Sequence, residues 1–113
     1  MDESMKGFHQ REKAFEAKYL HDEELTYRIH AKRNHLFGLW VAELLEYRDE
    51  GAEKYAQEVI LVEVQKTHED DVIHKVLRDL KAANVKVSEH RVRNQLERCL
   101  NTAREIIMND EGL

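Results

Sequence analysis

The order of apolar and polar positions predicts helices along almost the whole chain. Bulky apolar residues recur every three or four positions, the period of one side of an α-helix, with charged residues between them. Breaks in the pattern delimit four predicted helices, at residues 22–47, 51–66, 69–84 and 88–109, with a separate segment at 1–20. Proline, the strongest helix breaker, is absent. The pattern therefore predicts an all-α fold in which residues 21–113 form a four-helix bundle.

Local signals agree with these limits. Ser88 is a good N-cap residue, and Asn84 is a plausible left-handed stop for the preceding helix. Thr67 and Asp70 match a capping box at the start of the third helix. Residues 59–64 have strand propensity, but no second strand exists to pair with them, so we predict a helix there.

Gly38 is the one glycine inside a predicted helix. A glycine at such a position costs about 1 kcal/mol relative to alanine. We therefore predict that a neighbouring helix approaches closely beside it, where only glycine fits.

Residues 1–20 carry a weaker pattern. Phe8, Phe15 and Tyr19 fall on one side of a helix, but Arg11 and Glu12 interrupt that side. A lone helix of this length is marginal in water, so we expect a protruding segment that frays when free and orders in a partner's groove. The alternative is an ordinary N-terminal helix on its own bundle. The polar, acidic junction at residues 21–24 is the predicted hinge, and the sequence leaves helix continuity across it open.

The apolar stripe of the second segment has a gap at Lys32 and Arg33. Their aliphatic stems could cover apolar surface while the charged heads reach water. Alternatively, the two cations could form a basic notch that holds a phosphate or a carboxylate.

Composition narrows the classes of function. The chain has 113 residues, 36% of them charged, and a formal net charge of −5, which disfavours nucleic-acid binding through phosphate contacts. A single cysteine excludes a disulfide framework and points to a reducing compartment. The N-terminus lacks a secretory signal, and no stretch is apolar enough to span a membrane. We expect a cytoplasmic protein.

No reactive centre is evident. The seven histidines include no pair four positions apart, and the Glu-x-x-His motif of metal-binding bundles is missing. A glycine-rich phosphate loop is also missing, and Cys99 lies on an apolar stripe where we expect a buried small side chain. We predict neither catalysis nor a metal site, and a function carried by surfaces.

Three blocks of sequence carry a family resemblance. They are Phe8-x-x-Arg11-Glu12-Lys13-Ala14-Phe15-Glu16-Ala17-Lys18-Tyr19, then His21-Asp22-Glu23, and then Ala31-Lys32-Arg33-Asn34-x-Leu36-x-Gly38-Leu39-Trp40-x-Ala42-Glu43-Leu44-Leu45. With shorter matches further on, they resemble the zeta subunit of alphaproteobacterial F-type ATP synthase over almost the whole chain. The N-terminal block and Gly38-Leu39-Trp40 are the most specific parts.

The resemblance implies a four-helix bundle that inhibits the F1 rotary ATPase. The N-terminal segment would enter the interface between a catalytic beta subunit and its alpha neighbour. There it would block rotation in the hydrolytic direction and leave synthesis largely free, while the bundle stays outside. The implied partners are the alpha, beta and gamma subunits, and the implied location is peripheral to the inner-membrane ATP synthase. We expect a monomer.

The resemblance also gives expected contact residues. Phe8, Phe15 and Tyr19 would be buried anchors. The charged residues that would meet the partner are Arg11, Glu12, Lys13, Glu16 and Lys18. No cofactor is required. Some family members resemble nucleotide binders, so ADP or ATP is a candidate ligand; the resemblance assigns no residues to it, and Lys32 and Arg33 are candidates only because of the gap in the apolar stripe. The alternative function is a small helical nucleotide-sensing or adaptor protein without strong ATPase inhibition.

Overall fold

The chain folds into four α-helices. A computed structural model describes the backbone of residues 3–65 and 69–111 and the side chains of residues 21–63 and 70–111. The helices are α1 (Glu3–Leu44), α2 (Glu50–Gln65), α3 (Glu69–Ala82) and α4 (Glu89–Asp110), and the described residues contain no strand. The predicted all-α, four-helix fold is confirmed. Of the predicted capping box, Thr67 lies outside the described residues.

The first helix differs from the prediction at both ends. The predicted bundle helix at 22–47 is the C-terminal part of α1, which is one helix from Glu3 to Leu44 and is therefore continuous across the junction that the sequence left open. The acidic residues of the junction do not break it, because none of them restricts the backbone as proline does. Thr26 Oγ1 donates to the Asp22 carbonyl at 2.9 Å, one turn back across the predicted hinge.

The C-terminus of α1 is set by a left-handed residue. Glu46 has a φ of 64°. Its N–H donates to the Glu43 carbonyl at 3.1 Å, and the Tyr47 N–H donates to the Ala42 carbonyl at 2.9 Å. This is the hydrogen-bond pattern of a Schellman motif, here built on glutamate in place of the usual glycine. The helix therefore ends earlier than the predicted residue 47.

The predicted signals around α3 and α4 are confirmed. Asn84 has a φ of 59°, and the N–H of Val85 donates to the Leu80 carbonyl at 2.9 Å. Ser88 Oγ accepts from the Arg91 N–H at 3.1 Å, as an N-cap residue does. Residues 59–64 are helical as predicted, within α2.

Gly38 marks the closest approach of α1 and α2. A Cβ placed on Gly38 would lie 2.6 Å from the Cα of Ala56 and 3.1 Å from its Cβ. No side chain fits at such a distance from backbone, so the prediction of a close neighbour beside Gly38 is confirmed.

The apolar core has two parts. The larger cluster joins all four helices through buried residues such as Phe37, Val59, Val76 and Leu96. A smaller cluster joins Ile29 of α1 to Ala103 and Ile107 of α4. In the described part of the chain α1 contacts all three other helices, whereas α2 and α4 do not contact each other. The packed half of α1 is therefore the centre of the bundle.

The neighbours of α1 end near its midpoint. Glu63, near the C-terminus of α2, lies against His30, and Glu111, just after α4, lies against Arg28. From there α1 continues back to Glu3, and residues 3–20, which we call the arm, form about five further turns. At a rise of about 1.5 Å per residue, α1 is roughly 63 Å long, which accounts for most of the longest dimension of 71 Å.

Candidate functional site

The predicted partner-binding residues belong to the arm. They are Phe8, Arg11, Glu12, Lys13, Phe15, Glu16, Lys18 and Tyr19. Their backbone lies within α1, but their side chains are outside the described residues. Their contacts with a partner stay a prediction.

The continuity of α1 fixes the register of the arm relative to the bundle. Five turns of an α-helix contain 18 residues, so positions 18 apart lie on the same side. Position 15 is 18 residues before Arg33, and position 19 is 18 residues before Phe37. Arg33 and Phe37 are both buried in the bundle. The positions of Phe15 and Tyr19 therefore continue the core-facing side of α1 past the ends of α2 and α4, whereas position 8 is 18 residues before Thr26, which is exposed.

Three ionisable residues meet where the arm joins the bundle. Arg28 Nη1 donates to Glu111 Oε1, and His21 Nε2 lies 3.9 Å from Glu111 Oε2. The side chain of Glu111 is 23% exposed, that of Arg28 is 39% exposed and that of His21 is 53% exposed. We call this group the Glu111 cluster. It joins the residue that follows α4 to the first turns of the packed half of α1.

A second polar group lies deeper in the bundle. Glu63 Oε1 accepts from Arg33 Nη2 at 3.0 Å, and Glu63 Oε2 accepts from Asn34 Nδ2 at 2.6 Å. His30 Nδ1 lies 3.4 Å from Glu63 Oε1, and Arg33 Nε donates to Asn34 Oδ1 at 3.0 Å. Arg33 and Asn34 are only 2% and 1% exposed. This Glu63 network ties α1 to α2 through buried, charge-assisted hydrogen bonds.

The structure does not support an open notch at Lys32 and Arg33. Arg33 is buried and its guanidinium is paired with Glu63. Its head group therefore does not reach water, and it is not an open site for a phosphate. Lys32 is half-buried and lines a surface depression with Glu53 of α2, about 100° around α1 from Arg33. The two residues are adjacent in sequence, and the rotation of the helix separates their side chains. Binding of ADP or ATP at these positions stays a prediction.

His35 and Glu53 form a further contact between α1 and α2. His35 Nε2 lies 2.9 Å from Glu53 Oε2. This hydrogen bond, aided by one from Gln57, holds the pKa of the exposed Glu53 carboxyl below its usual value. The pair adds a polar contact at the solvent edge of the interface.

An open pocket of about 540 Å³ lies between α2 and α3. On its wall the Tyr55 hydroxyl donates to Asp79 at 2.8 Å, and Lys75 Nζ lies 3.0 Å from Asp79 and 3.4 Å from Glu58. Burial and the bond to Asp79 raise the pKa of Tyr55 above its usual range. These charged groups are satisfied by one another, so the arrangement is a structural network in the wall of the pocket.

Cys99 is buried, as predicted, and is 6% exposed. Burial raises the pKa of its thiol, which makes it a poor nucleophile. Among residues 21–63 and 70–111, no three histidine, cysteine or carboxylate side chains are grouped as a metal site would require. Nor do the described helices include one that is both long and apolar enough to cross a membrane.

Sequence reasoning missed both carboxylates that hold α1. The signal for Glu63 was present, because it falls on the buried side of α2 and so interrupts an apolar stripe, as Arg33 interrupts the stripe of α1. When a cation and an anion interrupt the apolar stripes of two neighbouring helices, the simplest explanation is that they form a buried ion pair with each other. Glu111 gave no comparable signal, since it lies after the last periodic residue.

The fold defines a small all-helical protein in which one long helix serves both as the centre of a bundle and as an arm beyond it. A protein-family model described as ATPase inhibitor subunit zeta matches residues 5–106. The chain therefore belongs to the ATPase inhibitor subunit zeta family, and this membership indicates an ATPase inhibitor subunit. This match includes most of the arm and all of the buried core residues except Ile107.

A solved structure supports the fold. A solution NMR structure of a protein is similar to this chain at 34% sequence identity with a TM-score of 0.67, and the alignment covers 76% of this chain and 98% of that one. No curated protein matches.

Proposed function

We propose that the chain inhibits ATP hydrolysis by the F1 sector of ATP synthase. The arm inserts at the interface between a catalytic beta subunit and its alpha neighbour and blocks rotation of gamma in the hydrolytic direction. Family membership supports the regulatory role. The observation that carries the mechanism is the continuity of α1, which runs from Glu3 to Leu44 past the ends of both neighbouring helices.

The arm suits insertion for a physical reason. Phe15 and Tyr19 lie on the side of α1 that the bundle covers further along, and Phe8 lies seven residues, or two turns, before Phe15. An aromatic side chain has a large apolar surface, and burying that surface in a groove contributes favourably to the free energy of binding. A partner that presents an apolar groove would take the place that α2 and α4 occupy in the bundle, and recognition of a helix in a groove works this way.

The bundle limits how far the arm can enter. Its two shorter dimensions are 25 and 23 Å, whereas a single helix with its side chains is about 10–12 Å across. A cleft that admits one helix stops the bundle at its mouth. The inserted length is then set by the arm, roughly 27 Å for 18 residues.

The test compares the full chain with a variant that lacks residues 1–20. The two core clusters contain no described residue before Leu25, so the shortened chain should keep its fold. ATP hydrolysis by the cognate F1-ATPase is measured against inhibitor concentration, and circular dichroism checks folding. We expect inhibition by the full chain and none by the shortened one.

Two controls sharpen this test. A chain in which residues 8–19 are reordered at constant composition should fold but fail to inhibit. ATP synthesis in coupled membranes should fall much less than hydrolysis. Equal inhibition by the full and the shortened chain would show that the bundle is the effector and would contradict the proposal.

This function requires no cofactor. ADP or ATP as a regulatory ligand stays a separate prediction, and the burial of Arg33 lends it no support. Chemical-shift changes around Lys32 on adding ADP would revive the nucleotide-sensing alternative. The proposed site of action is peripheral to the inner membrane, on its cytoplasmic side.

A further inference from the structure

We propose that Glu111 is a positioning residue for the arm. Through Arg28 and His21, this carboxylate would fix the helix at the base of the arm, so that the arm meets its target already aligned with the bundle. The inference rests on the proposed inhibitory function and adds to it the residues that hold the inhibitory element in place.

Glu111 lies where the end of α4 meets the base of the arm. It is the C-cap residue of α4, and its N–H donates to the carbonyl of Ile107 at 3.0 Å. Its carboxylate contacts Arg28 and His21, which are seven residues apart and therefore on the same side of α1. One side chain thus spans two turns of the helix that leads into the arm.

The junction needs such a contact because apolar packing stops short of it. The smaller core cluster includes Leu25 and Ile29 of α1 but no described residue before Leu25. Asp22, Glu23 and Glu24 are all exposed. Of the described contacts, that of Glu111 with His21 is the one that reaches the first turn after the arm, and the bond to Arg28 holds Glu111 in place one to two turns further along α1.

The electrostatics of the position also point to this role. A carboxylate at the C-terminus of a helix is disfavoured by the helix dipole, whose negative end lies there. Glu111 offsets this cost by pairing with Arg28 of another helix. The half-buried setting of Glu111 makes the pair stronger than one in open solvent.

A fixed base lowers the cost of ordering the arm. Starting a helix is unfavourable, but extending an existing one adds a hydrogen bond for each further residue. If the helix is fixed as far back as His21, the arm extends from an existing helix end at residue 21. If it were fixed only from Leu25, that end would lie one turn further from the aromatic residues of the arm. An inhibitor whose arm is preordered loses less entropy when it binds.

The test uses the full chain and its Glu111→Gln variant, which keeps the size of the side chain but removes its charge. Amide hydrogen exchange of residues 8–20 is measured in the free protein, and the half-inhibitory concentration is measured with F1-ATPase. We expect exchange in the arm to rise about two- to fivefold, and the half-inhibitory concentration to rise by a similar factor. Exchange in α3 should not change.

A charge-reversal pair separates a specific contact from a general loss of stability. Arg28→Glu and Glu111→Arg should each increase exchange in the arm, and the double variant should restore protection. The matched control is Arg93→Gln, which removes ion pairs with Asp70 and Glu89 about 27 Å along α4 from Glu111. It should leave the arm unchanged.

The two proposals fail in different ways. If the unmodified chain does not inhibit F1-ATPase, the proposed function is wrong, while the exchange measurement still decides the role of Glu111. If the chain inhibits but Glu111→Gln changes neither arm exchange nor inhibition, Glu111 is not a positioning residue. Failure of the double variant to restore protection would also overturn the inference.

Discussion

The two halves of α1 belong to the same helix but have different neighbours. Residues 25–44 contact α2, α3 and α4 and bury Phe37 and Val41 completely. Residues 3–20 continue the helix beyond the ends of α2 and α4. The core-facing side of the packed half carries on along the arm at Phe15 and Tyr19. In the proposed mechanism, the same periodic pattern serves the protein's own core in the packed half and the interface with F1-ATPase in the arm.

The difference lies in how each half is stabilised. The packed half is held by apolar burial, by the close approach at Gly38 and by the Glu63 network. The arm has the same period but fewer apolar positions, and an isolated helix of its length is marginal. Substitutions in the packed half should therefore change stability, and substitutions in the arm should change inhibition.

The largest effect is expected at Glu63. Glu63→Ala removes the carboxylate that Arg33 and Asn34 share and leaves a buried guanidinium without that partner. We expect the free energy of unfolding, measured in urea by circular dichroism, to fall by about 3 kcal/mol. The control is Glu58→Ala on the same helix, whose side chain is 51% exposed and which should change stability by less than about 0.5 kcal/mol. Equal effects would show that the network does not hold α1.

The next largest effect is expected in the arm. Phe15→Ala should leave unfolding within about 0.5 kcal/mol but weaken inhibition by about 2 kcal/mol, roughly 30-fold, because it truncates an aromatic anchor. Steady-state ATP hydrolysis over a range of inhibitor concentrations measures this. Tyr27→Ala is the matched control, since Tyr27 is an aromatic of α1 that is 62% exposed and lies outside the arm. If both variants weakened inhibition equally, the division between the halves would be wrong.

A smaller effect is expected at the closest contact of the packed half. Gly38→Ala adds a methyl group 2.6 Å from the Ala56 Cα, so the two helices must separate. We expect a loss of about 1–2 kcal/mol in urea unfolding despite the higher helix propensity of alanine. In Gly51→Ala the added Cβ would lie 3.9 Å from the nearest heavy atom, the Cβ of Tyr47, which is an ordinary contact. That control should be neutral or slightly stabilising, and a comparable loss there would contradict the close-packing explanation.

The smallest effect concerns alkaline pH. The pKa of Tyr55 is raised in the folded protein by burial and by Asp79, so Tyr55 keeps a proton that the unfolded chain releases above about pH 10. The folded state then binds more protons than the unfolded state, and stability falls as pH rises. Tyr55→Phe should cost about 1 kcal/mol at pH 7, and the difference should shrink towards pH 11.

Urea unfolding between pH 7 and 11 measures this convergence. Tyr27→Phe, at a side chain that is mostly exposed, should give a curve parallel to that of the unmodified protein. Parallel curves for Tyr55→Phe would mean that Tyr55 does not contribute to the pH dependence.

Much of the fold could be predicted from periodicity and capping. The four helices, the stop at Asn84, the N-cap at Ser88, the burial of Cys99 and the close neighbour of Gly38 were all predicted and are confirmed. These features depend on local backbone chemistry or on one strong steric requirement. The continuity of α1 across residues 21–24 was left open, because acidic residues permit both a helix start and a helix interior.

The candidate site was less accessible to sequence reasoning. The arm was identified from a weak aromatic pattern and from a family resemblance, and family membership is confirmed. The structure does not support the notch at Lys32 and Arg33. A charged residue in an apolar stripe can face water, a ligand or another helix, and the stripe alone does not distinguish these cases. Here Arg33 meets Glu63, 30 residues away in the chain.

The sequence by itself determined where helices form and which side of each is apolar, because both depend on residues within a few positions of one another. It also placed three aromatic residues in the arm. The tertiary structure decided which charges are partners, joining Arg33 to Glu63 and Arg28 to Glu111. It also decided where α2 and α4 stop relative to α1, and so which turns extend beyond the bundle. Such relations depend on the packing of distant segments, and no local pattern encodes them.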